Sequence, residues 1–120
     1  MVVPVELPEW HALEVHYQKI AAVHLRDLFW QDPSRADRFR LEAAVWLLDY
    51  SKNRVTQETV ELLVRLAKAC GVEEARRQMF SGERINRTED RPALHVALRN
   101  RSKQPIYVEG QDVMPQVGQV

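Results

Sequence analysis

Residues 56–71 read TQETVELLVRLAKACG, and this stretch decides the fold of the chain. Its apolar side chains follow the i, i+3, i+4, i+7 spacing of one helical face: Val60, Leu63, Val64 and Ala67. Thr56 is suited to cap the start of such a helix, and Gly71 supplies the left-handed residue that commonly follows the end. The stretch therefore predicts a helix over Gln57–Cys70. Together with the segments on either side of it, described next, it predicts a mainly α fold class with short β-hairpins, an α+β fragment.

Toward the N-terminus, residues 9–31 also follow helical spacing and predict a helix that is broken once. Pro8 fits the first turn of this helix, where its missing N–H has no consequence. The helix is expected to stop at Asp32-Pro33, because a residue before proline is pushed out of the α region. Asp32 is then expected to cap a short helix that runs to about Phe39, with Pro33 in its first position.

Between these helices lies a continuously apolar run, Val45 to Leu48. A short run of this kind fits either a buried strand or a buried helix turn, and periodicity does not separate the two. We favour a hairpin, with one strand ending near Leu41 and the other covering Val45 to Asp49.

Toward the C-terminus, a second helix is predicted over Glu73–Phe80, with Gly82 as its stop. Thr88 is a candidate cap for a helix over residues 89–99. Residues 105–108 then predict a strand that enters a tight bend at Glu109-Gly110-Gln111.

The last residues predict an unfinished element. Asp112 is a candidate N-cap, and Val113, Val117 and Val120 begin an apolar stripe. The sequence stops there without a C-cap or a basic last turn. We therefore expect residues 1–120 to be a single, truncated, N-terminal helical segment of a longer protein.

The composition excludes several classes of function. The chain carries 17 basic and 17 acidic side chains, so its formal net charge of zero predicts neither nucleic acid nor an anionic membrane as a partner. Its N-terminus lacks the basic start and long apolar core of a signal peptide. Cys70 is the only cysteine, which rules out an intrachain disulfide and fits a reducing compartment. We therefore expect a cytoplasmic protein.

No combination of residue types in the sequence forms a complete active site. The glycines form neither a dinucleotide fingerprint nor a P-loop, and the carboxylates lie at solvated helix ends. Cys70 ends a helix, whereas thiolate activation is favoured where a helix begins. The histidines lack the spacing of zinc ligands and are interpreted as surface or partly buried helix residues: His11, His16, His24 and His95. We therefore predict no catalytic, cofactor-binding or metal-binding residue in this chain.

One charged feature is suggestive, an arginine-rich stretch formed by Arg84, Arg87, Arg91, Arg99 and Arg101. It is suited to hold an anion or to pair with carboxylates of another domain. A solvated face with pairs inside the chain is the favoured interpretation.

Six stretches are too particular for a generic helical protein: HLRDLF (24–29), DPSR (32–35), LLDYSKNRVT (47–56), MFSGERINRTE (79–89), LHVALRNRS (94–102) and VEGQDVMP (108–115). In this order and spacing they closely resemble the N-terminal region of the glucose-6-phosphate isomerases, also called phosphoglucose isomerases. The resemblance runs from about Leu7 to Val120. One departure is Asp90-Arg91-Pro92, which stands where the family usually has a Gly-Arg-Ala-like stretch.

The resemblance implies an aldose–ketose isomerase that needs no cofactor. Such an enzyme interconverts glucose 6-phosphate and fructose 6-phosphate in glycolysis and gluconeogenesis, by proton transfer through a cis-enediol(ate). The resemblance also implies a homodimer of doubly wound α/β subunits that bind the sugar phosphate. The family's catalytic groups and phosphate loops lie beyond residue 120, so residues 1–120 would precede the first sugar-isomerase domain and be inactive alone. Their partner would be the remainder of the isomerase chain.

The residues leave one alternative open, a free-standing helical protein-interaction module. In that case the arginine-rich stretch would bind a partner.

Overall fold

The computed structural model describes residues 2–102 and 104–119, which form two compact units, residues 1–70 and residues 71–120. About half of the chain is helical, and the rest includes two small antiparallel hairpins. This agrees with the expected α+β character. Within the described ranges, no helix has both the length and the apolar character needed to cross a bilayer.

The first unit consists of helices around one hairpin. After a 3₁₀ turn at Pro4–Glu6, its elements are α1 (Pro8–Ile20), α2 (Leu25–Gln31), α3 (Arg35–Arg38), β1 (Arg40–Ala43), β2 (Trp46–Asp49) and α4 (Gln57–Ala69). The predicted break in the first helical region is confirmed, because the chain turns between Ile20 and Leu25. His24 caps the restart, where its Nδ1 accepts the N–H of Arg26 at 3.1 Å.

Helix α4 forms as the sequence predicts and packs against α1. Thr56 and Thr59 form a reciprocal capping box: the Thr56 hydroxyl accepts the Thr59 N–H, and the Thr59 hydroxyl accepts the Thr56 N–H at 2.9 Å. Two of the N–H groups left free at the helix start are thereby satisfied. At the other end, Cys70 is the C-cap and Gly71 has φ 74°, the left-handed conformation expected of it.

The expected cap at Asp32 is wrong. Helix α3 begins at Arg35 with Ser34 in the cap position, so Pro33 lies outside the helix. The Asp32 carboxylate instead accepts the N–H and the hydroxyl of Ser34, at 3.1 and 2.7 Å, and pairs with Arg38 at 2.9 Å. An aspartate whose carboxylate accepts the N–H two residues ahead forms an Asx turn. The carboxylate that is engaged in this turn does not cap the start of the helix.

The hairpin is confirmed, but its predicted burial is wrong. Strands β1 and β2 pair antiparallel with Leu41 opposite Leu48 and Ala43 opposite Trp46. The first strand extends to Ala43, two residues beyond the expected end, because Ala44 supplies a left-handed turn residue with φ 53°. Every residue of both strands is exposed, since no third strand or helix covers either face in the described residues.

The buried centre of the first unit is small. Phe39 is 3% exposed and meets the Tyr50 ring edge-on, with the ring centroids 5.7 Å apart. Polar and charged side chains lie buried in the same unit: His16, Arg35, Ser51 and Thr59. Hydrogen bonding, rather than apolar packing alone, therefore organises this core.

The second unit contains α5 (Val72–Phe80), α6 (His95–Leu98), β3 (Tyr107–Val108), β4 (Gln111–Asp112) and α7 (Met114–Val117). Helix α5 confirms the helix predicted over Glu73–Phe80. The predicted strand and bend are also confirmed, with Tyr107 opposite Asp112 and Val108 opposite Gln111. Ala97 of α6 is fully buried.

The predicted helix over residues 89–99 is wrong, because only His95–Leu98 is helical. Asn86 and Arg91 exchange two backbone hydrogen bonds of 3.0 and 3.1 Å, which close a turn around the residues expected to start the helix. Pro92 also disfavours the α region for Arg91. Asp90 has φ 51°, a left-handed conformation that favours glycine.

The final element is only one turn of helix. The Asp112 carboxylate accepts the N–H of Met114 at 3.0 Å, although the cap position itself falls to Val113. The predicted stripe includes Val120, which lies outside the described residues.

Candidate functional site

The most elaborate polar site of the first unit surrounds the guanidinium of Arg35. Its Nε donates to the carbonyl of Ser51 at 2.8 Å, and its Nη2 donates to the carbonyls of Asn53 and Val55 at 2.7 and 2.8 Å. The guanidinium carbon also lies 4.4 Å from the ring centroid of Phe39. Arg35 therefore connects helix α3 to the loop between β2 and α4 by hydrogen bonds.

The physical state of Arg35 follows from its surroundings. The side chain is 2% exposed. Burial lowers the pKa of its guanidinium, and the neighbouring carboxylate of Asp32 acts in the opposite direction. An arginine stays charged in proteins, so the site is a buried cation satisfied by carbonyl dipoles and an aromatic face. The hydrogen bonds of Arg35 go to backbone carbonyls, so the side chain has a structural role.

Helix α1 is tied to α4 by a buried histidine, His16. Its Nε2 lies 2.6 Å from the Thr59 hydroxyl, and its Nδ1 lies 3.3 Å from a Glu58 carboxylate oxygen. The interpretation of His16 as a surface or partly buried residue is wrong, because it is only 2% exposed. The other histidines, His11, His24 and His95, are exposed as expected.

The carboxylate–histidine–hydroxyl order of Glu58, His16 and Thr59 resembles a nucleophilic triad, but its geometry is unsuited to that chemistry. The Thr59 hydroxyl is buried and already accepts the N–H of Thr56 in the capping box. A nucleophile needs a hydroxyl that can reach a substrate. The arrangement is therefore a polar link between two helices.

Sequence reasoning missed Arg35 and His16. For His16 a signal was available: it lies three residues after Leu13 and four before Ile20, on the inner side of the helix. For Arg35 there was none, because its partners are backbone carbonyls 16 to 20 residues away in the chain.

In the second unit, the arginine-rich stretch is divided among different environments. Arg84 donates to the carboxylates of Asp90 and Glu109, and these two bonds raise the pKa of its guanidinium. Both carboxylates belong to residues with φ 51°. Arg84 therefore links the 86–91 turn to the β3–β4 hairpin.

The other arginines of the stretch do not gather into one site. Arg87, Arg91, Arg99 and Arg101 are all exposed. Arg99 donates to the His95 carbonyl at 3.4 Å, at the end of its own helix turn. Arg84 thus agrees with the favoured interpretation of pairs inside the chain.

An open groove along α1 and α4 has a volume of about 560 Å³. It is lined by apolar side chains and two polar ones: Trp10, Leu13, Glu14, Tyr17, Gln18, Leu63 and Leu66. Glu14 accepts hydrogen bonds from His11 and from the Trp10 indole, at 3.0 and 3.1 Å, and these contacts lower its pKa. His11 and Glu14 are both exposed and lie within one turn of α1, whereas the α4 side chains that line the groove, Leu63 and Leu66, offer no acid or base. The groove is therefore not suited to acid–base catalysis, which needs such groups on both sides of a bound substrate.

The described ranges contain no group of three His, Cys, Asp or Glu side chains that could ligate a metal ion. Cys70 is half-buried at the C-terminal end of α4, whereas reactive thiolates are favoured at the N-terminal end of a helix. The polar sites in both units thus join elements of the fold.

Comparison with known proteins connects the chain to one family. The family model described as phosphoglucose isomerase matches residues 49–120. That range begins at Asp49, at the end of β2, and includes α4 and the whole second unit.

The similar proteins found by sequence comparison belong to the same family as the matching family model. The chain is 52% identical over 115 residues to glucose-6-phosphate isomerase 1 of Neisseria gonorrhoeae, an alignment that covers 96% of this chain and 21% of that protein. It is 51% identical to glucose-6-phosphate isomerase of Methylococcus capsulatus over the same shares. The corresponding enzyme of Nitrosospira multiformis is 52% identical over 98% of this chain and 22% of its own length. The chain spans about a fifth of the length of these relatives, and it belongs to the phosphoglucose isomerase family.

Proposed function

We propose that this chain is the N-terminal structural part of a glucose-6-phosphate isomerase. The complete enzyme interconverts glucose 6-phosphate and fructose 6-phosphate by proton transfer through a cis-enediol(ate), in glycolysis and gluconeogenesis. The observation that carries the proposal is the 52% identity to the Neisseria gonorrhoeae isomerase over 96% of this chain and 21% of that enzyme.

The contribution of residues 1–120 in this proposal is structural. They precede the first sugar-isomerase domain of a doubly wound α/β subunit and supply no catalytic or phosphate-binding group. Support comes from Arg35 and Arg84, whose guanidinium groups are engaged with backbone carbonyls and with carboxylates of the same unit. The complete enzyme works as a cytoplasmic homodimer that binds the sugar phosphate and requires neither nucleic acid nor a membrane.

The test is a chimera in which the aligned 115 residues of the N. gonorrhoeae isomerase are replaced by those of this chain. Fructose 6-phosphate is supplied, and glucose 6-phosphate is followed with a coupled dehydrogenase. If the segment is structural, kcat/KM of the chimera stays within about tenfold of the relative's, a barrier difference of about 1.4 kcal/mol.

Two controls accompany the chimera. The free 120-residue chain should show no turnover above background, and the relative lacking its aligned segment should be inactive. Turnover by the free chain would contradict the structural role. A folded but inactive chimera would contradict the assignment to this isomerase.

The alternative interaction module is not favoured by any particular contact. Arg84, the first arginine of the stretch that would bind a partner, is already paired with Asp90 and Glu109.

A further inference from the structure

The buried histidine between α1 and α4 has one ring nitrogen without a directed hydrogen bond. His16 Nδ1 finds no hydrogen-bond partner among the described residues, although a carboxylate oxygen of Glu58 lies 3.3 Å from it. Buried polar groups of folded proteins are nearly always hydrogen-bonded, so an exception calls for a physical explanation. The protonation state of the ring supplies one.

The contact with Glu58 favours a proton on Nδ1. Without that proton, the lone pair of Nδ1 would face the lone pairs of the carboxylate across 3.3 Å. With it, the neutral ring points an N–H at the carboxylate, and the imidazolium forms a charge-assisted pair with it. Glu58 itself is 55% exposed, so the carboxylate supplies this counter-charge while it remains in contact with water.

On the other side of the ring, the Thr59 hydroxyl suits both charge states. Its oxygen lies 2.6 Å from His16 Nε2, 2.9 Å from the Thr56 nitrogen and 3.0 Å from the Thr56 hydroxyl oxygen. When the ring is neutral, the hydroxyl donates to Nε2. When the ring is an imidazolium, Nε2 donates to the hydroxyl oxygen, and the hydroxyl turns its hydrogen to Thr56. One donor and two lone pairs complete either set of bonds.

We infer that Glu58, His16 and Thr59 form a proton-tolerant link between α1 and α4, in which His16 takes up a proton without leaving its buried position. An unperturbed imidazole changes its charge between about pH 5 and pH 8. Burial alone would disfavour the charged ring and so favour opening of the helix pair. The carboxylate and the reorienting hydroxyl oppose that opening. The inference concerns the conformation of residues 1–120 and is independent of the activity of the complete enzyme.

The other charged side chains on the elements beside His16 are engaged elsewhere or exposed. Lys19 lies 3.5 Å from the second oxygen of Glu58 and leaves the oxygen that faces the ring. Arg54, in the loop before α4, donates to the carbonyl of Ala21. The exposed ones are Glu6 in the 3₁₀ turn and Glu61, Arg65 and Lys68 on α4. Glu58 is therefore the charge expected to decide how the link responds to pH.

The test removes the counter-charge and changes the pH. Glu58→Gln keeps the shape of the side chain without its charge. Glu14→Gln is the matched control, because Glu14 lies 3.0 Å from Nδ1 of His11 on the same helix, but His11 is 63% exposed. Each variant is made in the 120-residue chain and in the full-length chimera described above. Amide hydrogen exchange of α1 is read by mass spectrometry at about pH 8 and about pH 5.5, and is expressed as protection relative to the intrinsic rate.

In the unchanged chain and in Glu14→Gln, the protection of α1 should differ by less than about threefold between the two pH values. In Glu58→Gln it should be at least about tenfold lower at the acid pH than at the alkaline pH. The reason is that a buried imidazolium then lacks its counter-charge, so the open form binds the proton more readily. Addition of His16→Gln to Glu58→Gln should abolish this dependence on pH. Protection of α4 in the same samples reports whether each variant is folded.

Three outcomes would overturn the inference. The first is the same pH dependence in Glu58→Gln as in the unchanged chain. The second is an equal loss of protection at both pH values, which would reduce Glu58 to a favourable charge in the first turn of α4. The third is an acid loss in the unchanged chain that His16→Gln removes, because it would mean that the protonated ring leaves its site.

Discussion

Replacement of Arg35 by methionine should destabilise the first unit more than any surface substitution. Methionine matches the unbranched apolar stem of arginine but removes the donors to the carbonyls of Ser51, Asn53 and Val55. Because the side chain is 2% exposed, water does not readily take the place of the guanidinium. The substitution therefore leaves the carbonyl of the buried Ser51 without its donor.

The magnitude follows from the three hydrogen bonds. A hydrogen bond to a charged group contributes about 1.5–3 kcal/mol, and an acceptor left buried has a similar cost. Ser51 is buried, whereas Asn53 is exposed and Val55 is half-buried, so only the Ser51 bond counts in full. The expected loss in the free energy of unfolding is about 3–5 kcal/mol for Arg35→Met. Arg35→Lys should lose about 1–3 kcal/mol, because an ammonium keeps the charge but not the fork of donors.

The measurement is urea unfolding of the 120-residue chain, followed by far-UV circular dichroism in a constant background of the stabilising osmolyte TMAO. Arg54→Met is the matched control. Arg54 also donates to a backbone carbonyl, that of Ala21 at 3.0 Å, but it does so at the surface. The control should lose only about 0.5 kcal/mol, as is usual for exposed positions.

A loss for Arg35→Met no larger than that for Arg54→Met would refute the reasoning. It would mean that the loop between β2 and α4 holds its conformation without the guanidinium. Equal losses for Arg35→Met and Arg35→Lys would instead show that donor geometry, rather than charge, carries the stabilisation.

Three further predictions concern backbone conformation, helix capping and pH. Gly82→Ala should destabilise the second unit by about 2 kcal/mol or more in thermal unfolding, because Gly82 has φ 76° and a Cβ there would overlap the Tyr107 carbonyl. Gly71→Ala, where the added Cβ meets open space, should lower the stability by less. Thr56→Ala should lower the stability of α4 by about 1 kcal/mol through loss of the cap, measured as reduced amide protection in the first turn of that helix by hydrogen exchange. The pKa of Asp32 is lowered from 3.8, chiefly by the hydrogen bond that its carboxylate accepts from the Ser34 hydroxyl, so the ionised carboxylate stabilises the fold above pH 3.8 and this contribution is lost as the pH falls through the lowered pKa. Asp32→Asn should therefore flatten the acid limb of the stability–pH curve, and an unchanged limb would contradict this.

Local sequence signals worked where a single segment contains both the cause and the effect. The α4 region shows this, because its apolar spacing, its threonine cap and the glycine that follows it lie within sixteen consecutive residues. The hairpin and the existence of one break within residues 9–31 were likewise predicted from short stretches, whereas the position of that break after Ile20 comes from the structure. Each of these features depends on interactions between residues only a few positions apart.

Signals failed where two groups compete for the same partner. Thr88 and the acids after it look like a helix start, yet the backbone pairing of Asn86 with Arg91 closes a turn there instead. Asp32 is a good capping residue, but its carboxylate is taken by Ser34 and Arg38. Which of two favourable local interactions forms depends on the surrounding contacts, and the sequence pattern contains both.

The sequence by itself determined the family resemblance, the mainly helical character and the positions of the caps and turns of α4, because these depend on residue order and short-range geometry. Only the tertiary structure decided that Arg35 and His16 are buried and that the hairpin is not. Burial depends on which distant segments cover a residue: Arg35 meets carbonyls up to 20 positions away, and His16 meets Thr59 across 43 positions. The apolar run from Val45 to Leu48 shows the converse, since its hydrophobicity records a need for cover and does not reveal what provides it.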